Sequence, residues 1–413
     1  MALPPTQMCW ASALSQRVDA RQALAEVSGR VLDALGGPPD LALLFVSTHH
    51  AGAYPWIAAS AQQQLSARHL LGCSANGVIG EGREVERKEA LSVIAARLPG
   101  VNLFPFHLAE VPKTAEPELW TSLCGLPRES AVGFVVLGDS TNLDAELLLR
   151  RFDAAFPGAP KLGGLLGGSE SPGAPALFWN DRVVRKGALG IGLSGRIAIE
   201  TAVAQGCRPI GVPMIITRCQ DSVIQEFDVG KPADVLQSVF TSLSPRDQEL
   251  CRHSLLVGIE MRGGEHRYAH GDFLIRAMLG IEPRTGAMAV NAQLDQYQVV
   301  QFHLRDPRSA AQDLEQRLTE LQRSRAVTQQ RARAALLFSH IGRGQALYGV
   351  ENHDSDVFCR HIGAVPLAGC FANGEIGPVG GRSFLHGHTS VFGVISEPPE
   401  DSQTERSVPD VST

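Results

Sequence analysis

Short apolar runs, separated by polar and glycine-rich breaks, recur along the whole chain. They include Ala42–Phe45, Ala90–Ala96, Ala131–Leu137, Ala188–Leu193, Ser254–Ile259, Ala335–Phe338 and His388–Ile395. Runs of this length bounded by Gly and Pro predict buried strands rather than helices. Other segments carry a helical period instead. Ala20, Leu24, Val27 and Val31 fall on one stripe, with Asp19 and Gln22 placed as in a capping box. A second helix is predicted over Leu143–Phe156. A third opens at Asp306 as N-cap with Pro307 in the first turn, and it aligns Leu314, Leu318 and Leu321. Its other positions are heavily charged, which predicts a solvated outer face. Strands apolar on both faces must be covered on both. The expected fold class is therefore α/β, with duplicated strand–helix–strand units forming two pseudo-symmetric halves whose mixed sheets are covered by helices.

The duplication is visible in the residues. Gly72-Cys73-Ser74-Ala75-Asn76-Gly77-Val78-Ile79-Gly80 and Gly369-Cys370-Phe371-Ala372-Asn373-Gly374-Glu375-Ile376-Gly377 agree at seven of nine positions. Each is preceded by a matching apolar run, Ala42–Phe45 or Ala335–Phe338, and followed by another, Ala90–Ala96 or His388–Ile395. The order recurs more faintly twice. One copy runs from Ala131–Leu137 through the Leu143–Phe156 helix and Leu162–Gly168 to Ala188–Leu193. The other runs from Ser254–Ile259 through Phe273–Arg276 to Ala287–Asn291. The expectation is four strand–helix–turn–strand units, two per half.

At 413 residues the chain suits two to four domains or one large duplicated unit. Hydrophobic residues at 44% and charged ones at 19% permit a sizeable core and exclude a mainly disordered chain. A net charge of −6, with no basic excess, argues against nucleic acid or an anionic membrane as partner. The eight cysteines are scattered with no CxxC pair, unlike a disulfide-stapled secreted scaffold. The first residues lack the basic and apolar regions of a signal peptide, and no uninterrupted apolar run reaches membrane-spanning length. A soluble, cytoplasmic protein is expected. The polar, Pro-containing stretch 397–413 is expected to be a disordered tail.

On these motifs the chain resembles the FIST family, named for F-box and intracellular signal transduction proteins. Residues 10–200 look like its N-terminal domain, centred on Leu71–Gly77, and residues 201–396 look like its C-terminal domain. The second match rests on Gly211–Thr217 with Ile224–Ala233, on Leu274–Gly280 continuing to Val299–Asp306, and on Gly342-Arg343-Gly344. Gly374–Pro378 and Phe384–Thr389 complete it. The resemblance implies a small-ligand-binding sensory module, for which amino acids have been suggested as ligands, acting in signal transduction through a separate protein partner. With about ten residues ahead of the pattern, no F-box or output domain is expected within the chain. Where the family often has Cys before the Gly-Arg pair, this chain has Ser339-His340-Ile341, so no role of that cysteine carries over.

The candidate ligand-binding residues are Cys73, Ser74, Asn76, Gly77, Arg343, Cys370, Asn373, Gly374, Glu375 and His386. The glycine-rich turns either only join strands or present backbone N–H groups to a carboxylate or phosphate. Neither matches a dinucleotide or P-loop pattern, and no cofactor is expected. Arg343 suits a carboxylate, either a ligand's or that of Glu375, while Glu375 and Asn373 suit an ammonium group. Cys73 or Cys370 with His386 as base would make a nucleophile, against the commoner case of a buried thiol. His386 and His388, with His340, His353 and His361, match no zinc spacing. Arg305-Asp306 reads as a helix cap and ion pair. The expected function is thus a non-enzymatic sensor. The alternatives are an interaction scaffold without a small ligand and a cysteine-dependent hydrolase or transferase.

Overall fold

A computed structural model describes residues 7–114, 116–166, 175–261, 268 and 271–398. The first unit runs β1 (Cys9–Ser15), α1 (Ala20–Leu35), β2 (Leu41–Ser47), α2 (Tyr54–Leu65) and β3 (His69–Ala75). A hairpin, β4 (Gly77–Gly80) and β5 (Arg83–Glu86), precedes β6 (Leu91–Arg97). The second unit repeats that order: β7 (Val101–Leu108), α3 (Pro117–Cys124), β8 (Gly133–Asp139), α4 (Ala145–Ala155) and β9 (Lys161–Leu166). Its hairpin is β10 (Leu177–Trp179) and β11 (Arg182–Val184), followed by β12 (Ala188–Gly195).

The third unit opens with β13 (Ala198–Gln205) and is then interrupted. The insertion is β14 (Cys207–Gln220), β15 (Val223–Phe227), α5 (Pro232–Ser242), α6 (Pro245–Ser254), β16 (Leu255–Glu260), β17 (Phe273–Ile281), β18 (Met288–Val290) and β19 (Val299–Arg305). The unit resumes with α7 (Pro307–Thr328), β20 (Ala332–His340), α8 (Gln345–Tyr348), α9 (His353–Ile362) and β21 (Leu367–Ala372). Its hairpin is β22 (Glu375–Val379) and β23 (Arg382–His386), and β24 (Thr389–Ser396) closes it.

Each unit builds four strands of one mixed sheet and passes its hairpin to another unit's sheet. The orders are β1-β6-β2-β3-β10-β11, β7-β12-β8-β9-β22-β23 and β13-β24-β20-β21-β4-β5. The central pair of each is parallel: Leu44 opposite Gly72, Val136 opposite Gly163, Leu337 opposite Gly369. At all three positions a Cβ would lie 2.0 Å or less from the facing carbonyl oxygen, so the repeated glycine is required by close approach of two strands. The inner faces of the three sheets meet in one apolar core containing Phe45, Cys73, Leu137, Leu162, Phe338 and Cys370. Helices cover the outer faces: α1 and α2 on the first sheet, α3 and α4 on the second, α7 and α9 on the third. The mixed α/β class with helix-covered sheets is what the apolar runs predict.

The fourth faint copy differs. Ser254–Ile259, Phe273–Arg276 and Ala287–Asn291 fall in and around β16, β17 and β18, which with β14, β15 and β19 close a barrel of order β14-β15-β18-β17-β16-β19. Its interior holds Ile216, Phe227, Val257, Met288 and Phe302. Apolar runs alone do not separate a barrel strand from a sheet strand. The predicted helix starts hold: Asp19 accepts from the Gln22 N–H at 2.9 Å, and Asp306 accepts from that of Arg308 at 3.0 Å. Leu314, Leu318 and Leu321 are buried as the stripe requires. Of the stretch 397–413, residues 399–413 lie outside the described residues, as do Gly167 and Gly168.

Candidate ligand-binding site

The Ala-Asn-Gly steps of the duplicated motif mark where chain leaves one sheet for another. After β3 in the first sheet, Asn76 and Gly77 carry the chain into β4, which pairs with β21 in the third sheet. After β21, Asn373 and Gly374 lead into β22, which pairs with β9 in the second. Gly77 has Phe371 Cδ2 2.7 Å from where its Cβ would stand, so a side chain there would block the crossing. Both glycine-rich stretches are therefore strand crossings rather than turns.

The ten candidate residues divide among three surroundings. Cys73 and Cys370 face each other across the central core, Sγ to Sγ 3.9 Å, and burial pushes the Cys73 thiol well up. Ser74 fastens the first unit to the second, its Oγ accepting from the Ala176 N–H at 2.9 Å. Asn373 and Gly374 are tied to Leu165 by backbone hydrogen bonds of 2.9 Å each. His386 is buried with Nε2 3.1 Å from the Gly377 carbonyl, and burial lowers its pKa to about 4. It does not pair with Cys370, so the two do not form the nucleophile and base considered from sequence. Glu375 is fully buried; one oxygen accepts from the Thr389 N–H at 3.2 Å and Oε1 has no partner among the described residues. Burial raises its carboxyl well above the usual range.

Arg343 is completely buried, but its carboxylate partner is Asp354, not Glu375. Nε donates to Asp354 Oδ2 at 3.0 Å and Nη2 to Oδ1 at 3.3 Å. The other groups on Asp354 are the hydroxyls of Ser339 (3.3 Å) and Ser390, with His353 Nδ1 at 3.1 Å. Burial alone would raise the Asp354 carboxyl; the Arg343 charge and these hydrogen bonds outweigh it and hold the group well below its ordinary value. Arg343 also donates to the Tyr348 hydroxyl, and its guanidinium carbon lies 5.5 Å from that ring's centroid. Glu84 sits close behind, its Oε1 accepting from the Ser355 N–H at 2.7 Å. Burial, and then the nearby Asp354 charge, raise the Glu84 carboxyl to about 8. The clamp imagined between Arg343 and Glu375 is thus replaced by an internal ion pair, two residues along the chain from Ile341, which lines a cavity.

That cavity, about 250 Å³, opens at the crossing between the first and third units. Asn76, Gly77, Thr48 and His49 line one side, Ile341 and Phe371 the other, and Glu86 and Arg87 supply opposite charges. Thr48 Oγ1 and Asn76 Oδ1 are shielded from solvent and have no hydrogen-bond partner among the described residues. Glu86 is held by the Gln345 N–H at 2.8 Å; burial moves its carboxyl upward despite that bond. Arg87 adopts a φ of 54°, and its N–H donates to the Asn76 carbonyl at 3.3 Å. A wider groove of about 480 Å³ runs between Glu200–Gln205, α7 and Pro378–Gly380.

Sequence reasoning found Asn76 and Gly77 but missed Thr48, His49, Glu86, Arg87 and Asp354. No residue pattern flags them: Thr48, His49, Glu86 and Arg87 meet Ile341 and Phe371 through the exchange of the β4–β5 hairpin into the third sheet, and Asp354 reaches Arg343 through the fold of α9 against β20. Arg305 and Asp306 are also not the pair they suggest. Asp306 caps α7 and takes Arg208 and Arg246 at 2.9 Å each, whereas Arg305 makes no ion pair among the described residues.

The chain thus consists of three interlocked α/β units and a closed barrel, with a partly polar cavity at a unit junction. The FIST N domain model matches residues 40–229 and the FIST C domain model residues 232–378, so the chain belongs to the FIST family. FIST domains are generally described as small-ligand-binding sensory domains in signal transduction. An uncharacterized protein of Mycobacterium bovis is 34% identical over 385 residues, covering 92% of this chain and 97% of that protein. Another, from Mycobacterium tuberculosis, is 34% identical over 378 residues, covering 91% and 97%. Among solved structures, cyanuric acid hydrolase from A. caulinodans aligns over 95% of this chain and all of its own at 9% identity and a TM-score of 0.30. T. maritima PurL complexed with ATP aligns over 95% and 72% at 10% identity and 0.24. Both likenesses are too slight to bear on fold or function.

Proposed function

We propose that this protein is a sensor of an amino acid or a closely related small carboxylate, bound in the cavity at Asn76–Gly77, and that it passes the signal to a separate protein partner. The observation that carries the reading is a cavity lined by Thr48 and Asn76, whose Oγ1 and Oδ1 are shielded polar atoms with no hydrogen-bond partner among the described residues. Buried polar groups without partners are costly, and a ligand that satisfies them binds with that cost as its advantage. Opposite charges on Glu86 and Arg87 suit a zwitterion, the ammonium toward Glu86 and the carboxylate toward Arg87. A volume of about 250 Å³ lies just under the range of drug-sized sites, ~300–1,000 Å³, and fits a metabolite of amino-acid size. A protein relaying such a signal works in the cytoplasm.

Of the candidate residues, Asn76 and Gly77 contact the ligand in this reading and Arg343 supports the site through Asp354 and Tyr348. A thermal-shift screen of the twenty amino acids and simple carboxylates tests it. At a ligand concentration 100 times Kd the stabilisation is about 2.7 kcal/mol, readily seen as a rise in Tm. A protein that melts cooperatively yet shifts with no member of the panel would contradict the proposal.

A further inference from the structure

Where the barrel meets the third sheet stands a cationic group with no ion-pair partner among the described residues. Arg305 ends β19, and its sequence neighbour Asp306 is already taken by Arg208 and Arg246. Arg305 Nε and Nη2 are shielded from solvent with no hydrogen-bond partner among the described residues. The rings of His340, at the end of β20, and His388, in the turn before β24, lie with centroids 4.5 Å apart. Gly342 links the two sides: its Cβ would stand 3.0 Å from His340 Nδ1 and 3.2 Å from Arg305 Nη2. His340 Nδ1 accepts from the Gly342 N–H at 3.0 Å, which leaves the His340 proton on Nε2. His388 Nδ1 is likewise buried without a partner. Arg343 comes near, its Nη1 3.3 Å from the His388 carbonyl, but its charge is spent on Asp354. Burial, the neighbouring ring and the two guanidinium charges lower His340 to about 3; burial and the same charges lower His388 to about 4. Both rings are therefore neutral hydrogen-bonding groups at physiological pH.

A guanidinium with two dry, unbonded N–H groups is costly, and buried charges are as a rule paired. Nε and Nη2 form one edge of the planar fork that matches two oxygens of an oxyanion. We infer that Arg305, together with His340 and His388, forms a second ligand site, for a small oxyanion of the carboxylate or phosphate type. It goes beyond the amino-acid reading because it is a separate site, built on Arg305 and two neutral histidines rather than on Asn76 and Gly77.

The test titrates the full chain with sodium phosphate and, separately, with sodium acetate, by calorimetry and by thermal melting at constant ionic strength. A saturable heat with one or both anions is expected, the stronger arm distinguishing phosphate from carboxylate. A charge-assisted bond of about 1.5–3 kcal/mol corresponds to roughly 10–100-fold in affinity. Arg305→Gln should weaken binding by that factor, while melting at or above the wild type without anion, since the unpaired charge has gone. Should Arg305→Gln fail to fold, His388→Gln gives the same comparison with a several-fold loss expected. Asn76→Ala should leave the anion response intact, which separates this site from the cavity. No saturable heat with either anion, or equal affinity in wild type and variant, would overturn the inference.

Discussion

Replacing Asp354 with Asn probes the framework behind the cavity. The exchange keeps the shape of the side chain and an acceptor for Ser339 and Ser390, but removes the charge that Arg343 faces. Both members of the pair are at 0% exposure, so water cannot take over. Removing one partner of such a pair costs about 3–5 kcal/mol, because the remaining charge stays buried and uncompensated. Against a total of about 5–15 kcal/mol that is a large share. At about 2 °C per kcal/mol for a large domain, Tm should fall by roughly 6–10 °C. The pH dependence carries the sign. Asp354 is held below its unfolded pKa of about 3.9, so its contribution is present above that pH and disappears on acidification. Wild type should therefore lose stability below about pH 4 more steeply than Asp354→Asn. Calorimetry from pH 3 to 7, with Arg343→Met and the Arg343→Met/Asp354→Asn double variant, completes the cycle. The double variant should be more stable than the sum of single losses by at least about 1 kcal/mol. A cost of under 1 kcal/mol for Asp354→Asn, or strict additivity, would refute the reasoning.

Three further outcomes follow from the same structure. Gly369→Ala places a Cβ 1.8 Å from the Leu337 carbonyl oxygen and should destabilise or prevent folding, whereas Gly29→Ala, with open space on α1, should raise stability by about 0.5–1 kcal/mol; urea unfolding compares them. Glu84 has its folded pKa raised to about 8, so its contribution is present at low pH and lost as pH rises through that value; Glu84→Gln should melt above wild type at pH 9, by at least about 1 kcal/mol, and match it near pH 4. Cys73 and Cys370, at 0% and 3% exposure, should resist thiol reagents in the native state, while partly exposed Cys9, Cys219 and Cys359 label first; fast labelling of the core pair would revive the nucleophile reading.

Much of the secondary structure and the repeat were legible because they rest on local physics. The stripe of Leu24, Val27 and Val31 and the cap at Asp19 depend on neighbours within a turn or two, and the Gly72/Gly369 match reflects a steric need repeated in each unit. The barrel was not, since Ser254–Ile259 is as apolar as any sheet strand and nothing in it says which strands it will join. Nor was the cavity: Glu86 meets Ile341 only because the β4–β5 hairpin crosses between units, and Arg343 turns to Asp354 of α9 while the β22–β23 hairpin carries Glu375 into the second sheet. Residues far apart in the chain are brought together by topology, and residue types alone do not carry that topology.

Isothermal titration of the amino acid that gives the strongest thermal shift, into wild type and into Asn76→Ala/Arg87→Ala, tests the cavity most directly. One saturable site is expected in wild type, with affinity reduced at least about 10-fold in the variant while its melting temperature without ligand stays near that of wild type. Undiminished binding in the variant, or no heat from any amino acid with well-folded protein, would contradict the assignment of the sensory site to Asn76–Gly77.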